Sequence, residues 1–162
     1  MAFTITEITE KEISVSAEII RQSFKTVADE FGLTKENAST NGAFLEDAKL
    51  LDEFNEGIKM FGLFENEIQI GFIALERHDG ETFYIERLAV LPEYRHKGGG
   101  RHLMDYIKEY VKQAGGKVIS IAIIYENLQL LNWYKAYGFE ETGMKVFPHL
   151  PFKVCFLRLS IW

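Results

Sequence analysis

Residues 58–91 hold three apolar runs, IKMFGLFE (58–65), IQIGFIALERH (68–78) and TFYIERLAVL (82–91), separated only by NE and DGE. Gaps this short leave no room for a crossover helix, so consecutive runs must pair antiparallel as a meander. A parallel βαβ arrangement is excluded for this stretch. On either side the periodicity changes. FTITEI (3–8) alternates as a strand, and EKEISVSAEIIRQSFKTVADEF (10–31) sets Ile13, Ala17, Ile20, Phe24 and Val27 on one helical face. The polar stretch 32–57 carries a helical piece over Phe44 to Phe54. Beyond the meander, Leu103, Met104, Ile107, Tyr110 and Val111 form the apolar face of a helix that ends near Gly115 and Gly116. KVISIAII (117–124) reads as a buried strand and NLQLLNWYKAY (127–137) as a helix stopped by Gly138. FEETGMKVF (139–147) and KVCFLRLSIW (153–162) are strands around the turn PHLP (148–151). With no repeat, low-complexity tract or linker, residues 1–162 read as one mixed α+β domain.

Composition narrows the partners. A chain of 162 residues, 47% hydrophobic and 14% aromatic, can bury a real core. Its formal net charge of −6 argues against a general nucleic-acid binder and leans toward a cationic or neutral partner. Cys155 is the only cysteine, which rules out an intrachain disulfide and a metal site built on paired cysteines, and the thiol is expected in the core. No charged leader precedes an apolar run, and no stretch reaches the roughly 20 apolar residues that span a bilayer. The expectation is a cytoplasmic protein without membrane or nucleic-acid partners.

LPEYRHKGGGRHLMDYI (91–107) sets three glycines between a basic cluster and a helix start. The first N–H groups of a helix lack internal acceptors and its dipole favours an anion there, while glycine lets a phosphate approach the backbone. Arg95, His96, Lys97, Arg101 and His102 concentrate positive charge on an acidic chain. A glycine-rich turn with a solvated basic rim is the plainer alternative. The dinucleotide fingerprint fails because Leu103 occupies its third glycine position, and the phosphate-loop pattern is absent.

These residues resemble the signature of the GNAT superfamily of N-acetyltransferases, in which an apolar strand and a proline turn precede [RQ]-x-x-G-x-[GA] at a helix start. LAVLPEYRHKGGGRHLM (88–104) puts Arg95, Gly98 and Gly100 on the motif positions. A second similarity lies in NLQLLNWYKAYGF (127–139), where Asn127, Tyr134, Gly138 and Phe139 fall in the family register and Leu130 stands where a small residue is common. The resemblance spans at least residues 83–140, and the order of elements agrees over nearly the whole chain.

The resemblance implies a single α+β domain with a mostly antiparallel sheet flanked by helices, and a splayed central strand pair forming the cofactor cleft. It implies acetyl-CoA as acyl donor, no metal, and an amine acceptor. The coenzyme pyrophosphate would lie against the loop formed by Arg95, His96, Lys97, Gly98, Gly99, Gly100 and Arg101. Leu88, Ala89 and Val90 would offer backbone groups to the pantetheine arm and the thioester oxygen. Asn127 would hold that arm or the helix start, and Tyr134 would protonate the departing thiolate. Tyr134 also fits a core aromatic, because Leu130, Leu131, Tyr134 and Tyr137 share helical spacing. Glu86, with the strand parity of Leu88 and Val90, is either the base that takes the amine proton or half of a cross-strand ion pair. Arg87 would face the other way as a structural residue. His149 either lines the acceptor mouth or is a solvated loop histidine, and His78 reads as hairpin surface. Phe31, Phe44, Phe54, Phe147 and Phe152 suggest an aromatic acceptor wall, and Glu46 and Asp47 suit a cation; each is equally explained by packing or solvation. A homodimer through the final strand is compatible with LRLSIW (157–162). A non-catalytic acyl-CoA-binding sensor or interaction module of the same fold remains the alternative to an enzyme.

Overall fold

The meander is the middle of a seven-stranded sheet in the computed structural model, which describes residues 2–161. The elements are β1 (Phe3–Glu7), α1 (Ile13–Phe31), α2 (Asp47–Asn55), β2 (Lys59–Glu65), β3 (Ile68–Arg77), β4 (Thr82–Val90), α3 (Gly99–Gln113), β5 (Val118–Ile124), α4 (Leu128–Tyr137), β6 (Glu140–Val146) and β7 (Lys153–Ser160). Strand order is β1-β2-β3-β4-β5-β7-β6, and only β4 and β5 run parallel. Asn66 and Glu67 turn the first hairpin with φ of 50° and 71°, the left-handed pair that matches strand twist in a two-residue loop. Trp162, expected to end the last strand, lies outside the described residues.

Helices cover the two faces unequally. On one face α1 and α2 bury Ile13, Ala17, Ile20 and Leu50 against Met60, Phe72, Ala74 and Ala89 of β2–β4. On the other, α3 and α4 bury Leu103, Met104, Ile107, Leu131 and Tyr134 against a core running from Phe61 and Leu63 to Leu157 and Leu159. Residues Gln69 to Leu75 of β3 are buried in succession because both faces are covered, so its run reads as continuous rather than alternating. The α1/α2 layer stops near β4. Ala122 and Arg158, on the corresponding face of β5 and β7, are exposed.

Three expectations need correction. The helical piece placed over Phe44 to Phe54 begins at Asp47; Phe44 belongs to a 3-10 turn whose entry is capped by the Asn41 side chain accepting the Ala43 N–H at 2.9 Å. Ordinary alternation also fails in β4. Ala74 pairs with Arg87 but Leu75 pairs with Ile85, so Glu86 is the extra residue of a β-bulge. Ile85, not Glu86, therefore shares a face with Leu88 and Val90. Nor does Arg87 oppose Glu86: both sit on the α1/α2 side, where Arg87 reaches Glu53 of α2 at 2.7 Å.

The Arg87 and Glu53 side chains are only 15% and 10% exposed, and the Arg87 Nε has no partner among the described residues. Glu53→Ala should cost about 3 kcal/mol or more by leaving a buried guanidinium uncompensated. The double variant Glu53→Leu/Arg87→Met should recover most of that loss in urea denaturation, and equal losses in single and double variants would refute the coupling.

Candidate active site

The parallel pair defines the site by coming apart. β4 and β5 pair only at Thr82, Tyr84 and Phe83 with Val118, Ser120 and Ile119, after which β5 follows β7 through Ile124 while β4 follows β3 to Val90. A V-shaped gap opens between them. The Leu91 N–H donates to the Ile70 carbonyl at 2.9 Å, so by alternation Ala89 also turns its backbone groups to β3, and Leu88 and Val90 turn theirs into the gap. Of the three positions expected to line the cleft, Ala89 is thus turned away, with its side chain in the α1 core.

At the wide end of the gap stands the N-terminus of α3. Gly98 precedes it with φ of +87°, and His96 is left-handed at 64°, a conformation histidine tolerates better than branched residues do. The first backbone bond of the helix runs from the His102 N–H to the Gly98 carbonyl at 3.0 Å, so the N–H groups of Gly98, Gly99, Gly100 and Arg101 have no helical acceptor and no side chain caps them. Gly99 presses α3 onto the sheet: a Cβ there would lie 2.9 Å from Leu63 Cδ2. The cradle of free donors and absent Cβ atoms fits a diphosphate.

The cations around this cradle differ from the expected set. Arg95 donates to Thr26 Oγ1 at 2.9 Å and to the Ser23 carbonyl at 2.7 Å, which ties the loop to α1 rather than aiming the guanidinium at an anion. His96, Lys97, Arg101 and His102 remain exposed beside the cradle. Arg101 also lies over the Tyr137 ring at 5.4 Å, next to Trp133, whose indole approaches Gly100.

Tyr134 projects from α4 into the α3/α4 core, 2% exposed, with Trp133 and Phe139 edge-on to its ring at 5.0 and 5.2 Å. Burial pushes its phenol pKa up, which keeps the hydroxyl protonated. That hydroxyl makes no hydrogen bond to another described residue. Asn127 caps α4, its side chain accepting the Leu130 N–H at 3.3 Å.

Glu86 occupies the open face of β4. Its carboxyl is pushed up to about 7, first by burial and then by hydrogen bonding and repulsion from Glu76, with Arg87 opposing and Glu53 adding to the rise. Glu76 was not singled out by the sequence. It pairs with Tyr84, which pairs with Ser120, which pairs with Arg158, so register lines up one row across four strands on this face. The hairpin DG turn held the signal, since counting back across it brings Glu76 opposite Tyr84.

Of the aromatics expected to line an acceptor wall, Phe31, Phe44 and Phe152 pack with Ile124 around Ala28, Leu33 and Ala38, while Phe54 joins the α1/α2 core and Phe147 lies against His149. Asp47 is taken by Arg21 and Ser14, both at 2.8 Å, and Glu46 is exposed at the start of α2. His149 sits on an exposed turn, and His78 is edge-on to Tyr84 at 5.1 Å. Cys155 is buried. Of two surface depressions, one is lined by Ile58, Leu75, Glu76, Tyr110 and Phe83 of the paired stretch of β4 and the other by Thr4, Thr6 and Phe64, and neither is lined by Leu88, Val90 or the glycines before α3. Among the described residues no helix is long and apolar enough to cross a membrane, and no group of three or more His, Cys, Asp or Glu gathers as metal ligands.

No curated protein sequence matches the chain. Solved structures share the fold. Ribosomal-protein-S18-alanine N-acetyltransferase from Escherichia coli superposes with a TM-score of 0.78 at 15% identity, covering 99% of this chain and 94% of that one. PaiA N-acetyltransferase from Thermoplasma acidophilum, in complex with coenzyme A, gives 0.75 at 19% identity, covering 99% of both chains. A GNAT family acetyltransferase from Elizabethkingia anophelis with acetyl-CoA bound gives 0.72 at 17% identity, covering 98% of both. At these identities the likeness is one of fold. The sequence profile of the Acetyltransferase (GNAT) family matches residues 24–139, from the middle of α1 through the parted strands and the glycine cradle to Phe139. Since that match takes in well over half of the chain and the whole of the cleft, the chain belongs to the GNAT acetyltransferase family.

Proposed function

We propose that the protein is an acetyl-CoA-dependent N-acetyltransferase that moves an acetyl group to the primary amine of a small molecule or peptide by direct attack in a ternary complex. The observation that carries this reading is the parting of β4 from β5, with free backbone groups of Leu88 and Val90 inside the gap and the free N–H groups of α3 at its wide end. Acetyl-CoA supplies the activated thioester.

This chain's residues supply the rest. The N–H groups of Gly98 to Arg101 hold the diphosphate, and Leu88 and Val90 form a strand-like pairing with the pantetheine arm. A backbone N–H in the gap stabilises the thioester oxygen as it gains charge. Glu86, near half-ionised at neutral pH, takes the proton from the amine nitrogen as the C–N bond forms. Tyr134 donates to sulfur as the C–S bond breaks; with its raised pKa it acts more as a hydrogen-bond donor than as a complete proton source. Solvent then removes the proton from Glu86 and replaces any that Tyr134 has given. The net charge of −6 favours a basic acceptor.

Thiol release from acetyl-CoA, measured with spermidine, tyramine, lysine and a peptide bearing a free N-terminus, tests the reading. Amine-dependent release is expected. Tight coenzyme A binding without release for any amine would make the chain a binding module.

Tyr134→Phe keeps the ring and its packing, so kcat should fall by roughly 10²- to 10⁴-fold with little change in Tm or acetyl-CoA affinity. Turnover within about threefold of wild type, with chemistry rate-limiting, would leave Tyr134 as a core aromatic and water as the proton source.

Among the loop glycines, Gly100 gives the cleanest variant. A Cβ there meets the Trp133 ring at 3.5 Å, an ordinary contact, whereas Gly98 is left-handed and Gly99 abuts Leu63. Gly100→Val should retain the fold but weaken acetyl-CoA binding by about tenfold or more in calorimetry, by obstructing the approach of phosphate to the backbone. Unchanged affinity would reduce the loop to a turn.

A further inference from the structure

We propose that Glu76 is a positioning residue whose carboxyl shares a proton with Glu86 across the β3–β4 bulge and thereby sets the pH at which Glu86 becomes a base. The proposal rests on the reading of Glu86 as the proton acceptor, and it adds a residue on a different strand, acting through Glu86 rather than touching substrate.

The geometry begins with the bulge. A regular β4 would alternate Ile85, Glu86 and Arg87 across the sheet; the extra residue instead leaves Glu86 and Arg87 on one face. Glu76 leaves β3 on that same face, one pair from the bulge and opposite Tyr84. Glu86 is therefore a diagonal neighbour of Glu76 on that face, a spacing long side chains can span, and Glu76 raises the Glu86 carboxyl's pKa.

The surrounding charges do not relieve the pair. Arg87 favours ionised Glu86, but its guanidinium bonds Glu53 of α2 at 2.7 Å, and Glu53 itself opposes ionisation of Glu86. Arg77 is turned to the carbonyls of Asp79, Gly80 and Ala114. Arg158 of β7 stands in the Glu76–Tyr84–Ser120 row, with the Tyr84 and Ser120 positions between. His78 lies against the Tyr84 ring. Two neighbouring carboxyls without a cation between them resist double ionisation, so the Glu76 charge holds the proton on Glu86 at a pH where a lone glutamate has lost it.

For acetyl transfer this arrangement has a definite use. A solvated glutamate is a weak base at neutral pH, whereas a carboxyl poised near 7 is better matched to removing a proton there. When Glu86 takes the proton from the amine nitrogen, the Glu76 carboxylate accepts a hydrogen bond from the new Glu86 acid. The proton then passes to solvent across the open face of β4 and β5.

Carbon-13 NMR of protein labelled at the glutamate side-chain carboxyl tests the pairing without an acceptor. Wild type should show a carboxyl titrating near 7 that disappears in Glu86→Gln. In Glu76→Gln its midpoint should fall by about one pH unit or more, because removing a like charge and supplying an amide donor both favour ionised Glu86. Glu76→Asp, which keeps a carboxylate on a shorter arm, should restore part of the rise. Absence of any glutamate titrating above about 6 in wild type would overturn the proposal. So would an unchanged midpoint in Glu76→Gln.

The rate profile supplies the second arm, using whichever amine of the panel turns over. If the midpoint moves from about 7 to about 6, the ratio of kcat/KM at pH 6 to that at pH 8 should rise about fivefold in Glu76→Gln, the change in the ionised fraction of Glu86. A merely structural Glu76 would lower the whole profile without moving its acid limb. Wild-type protein that releases no thiol with any amine defeats the acetyltransferase reading itself. A Glu86→Gln variant that turns over normally defeats the role of Glu86 as base, and the proposal with it.

Discussion

Everything at the site depends on a competition between strand partners that β4 and β5 lose to their outer neighbours. β5 satisfies one edge along its whole length against β7, and β4 satisfies one edge against β3. Between them the parallel ladder holds for only three pairs before the bulge at Glu86 re-aims β4. Two strands that part inside a sheet leave backbone donors and acceptors facing a gap, and such groups are costly to bury unsatisfied. The gap therefore favours an extended polar chain that can bond as a strand would, which is the shape and chemistry of a pantetheine arm.

The unequal helical cover gives the gap two different sides. The α3/α4 layer is broad and apolar, and it holds Tyr134 in a buried aromatic cluster. The α1/α2 layer is narrower, leaving Ala122 and Arg158 exposed beyond β4. Arg95 connects the layers: by donating to Ser23 and Thr26 it fixes the glycine loop before α3 to α1. Its guanidinium is partly buried, and burial lowers its pKa. A bound anion would thus be held mainly through oriented backbone N–H groups, which cannot rotate away, with His96, Lys97 and Arg101 as an exposed cationic rim.

Local signals in the sequence identified most of the fold. Two short gaps specify the meander, helical spacing specifies α3 and α4, and the glycines against a helix start specify the cradle. What escaped was set by contacts distant in sequence. A bulge reverses strand parity from its position onward, and nothing in TFYIERLAV (82–90) marks where the extra residue falls, so parity puts Arg87 on the right face and Glu86 on the wrong one. The partner of Arg95 lies 72 positions away on α1, and a motif arginine carries no local sign of where its guanidinium turns. The aromatic wall divides for the same reason: Phe31, Phe44 and Phe152 pack around Ala28, Leu33 and Ala38, whereas Phe54 and Phe147, identical by local criteria, pack elsewhere. Asp47 looked available for a cation until tertiary structure brought Arg21 against it.

The bulge also decides how protons would move in acetyl transfer. Without it, Glu86 and Tyr134 would be separated only by distance; with it, they stand on opposite faces of β4, one toward the open basin and one in the closed core. Burial raises both pKa values, but with opposite consequences for availability. A carboxyl poised near 7 on the open face can exchange protons with solvent at neutral pH, so as a base it would reset between turnovers. A phenol raised by burial stays protonated and is shielded from hydroxide, so as a donor it would be ready whenever a thioester bound. Because the thioester would lie along the gap between these faces, the amine would lose its proton on the wet side and the thiolate would find its donor on the dry side. The two groups then need no direct proton path between them. Each is tuned by its own layer of the fold, which is the pattern by which one site supplies acid and base at the same pH.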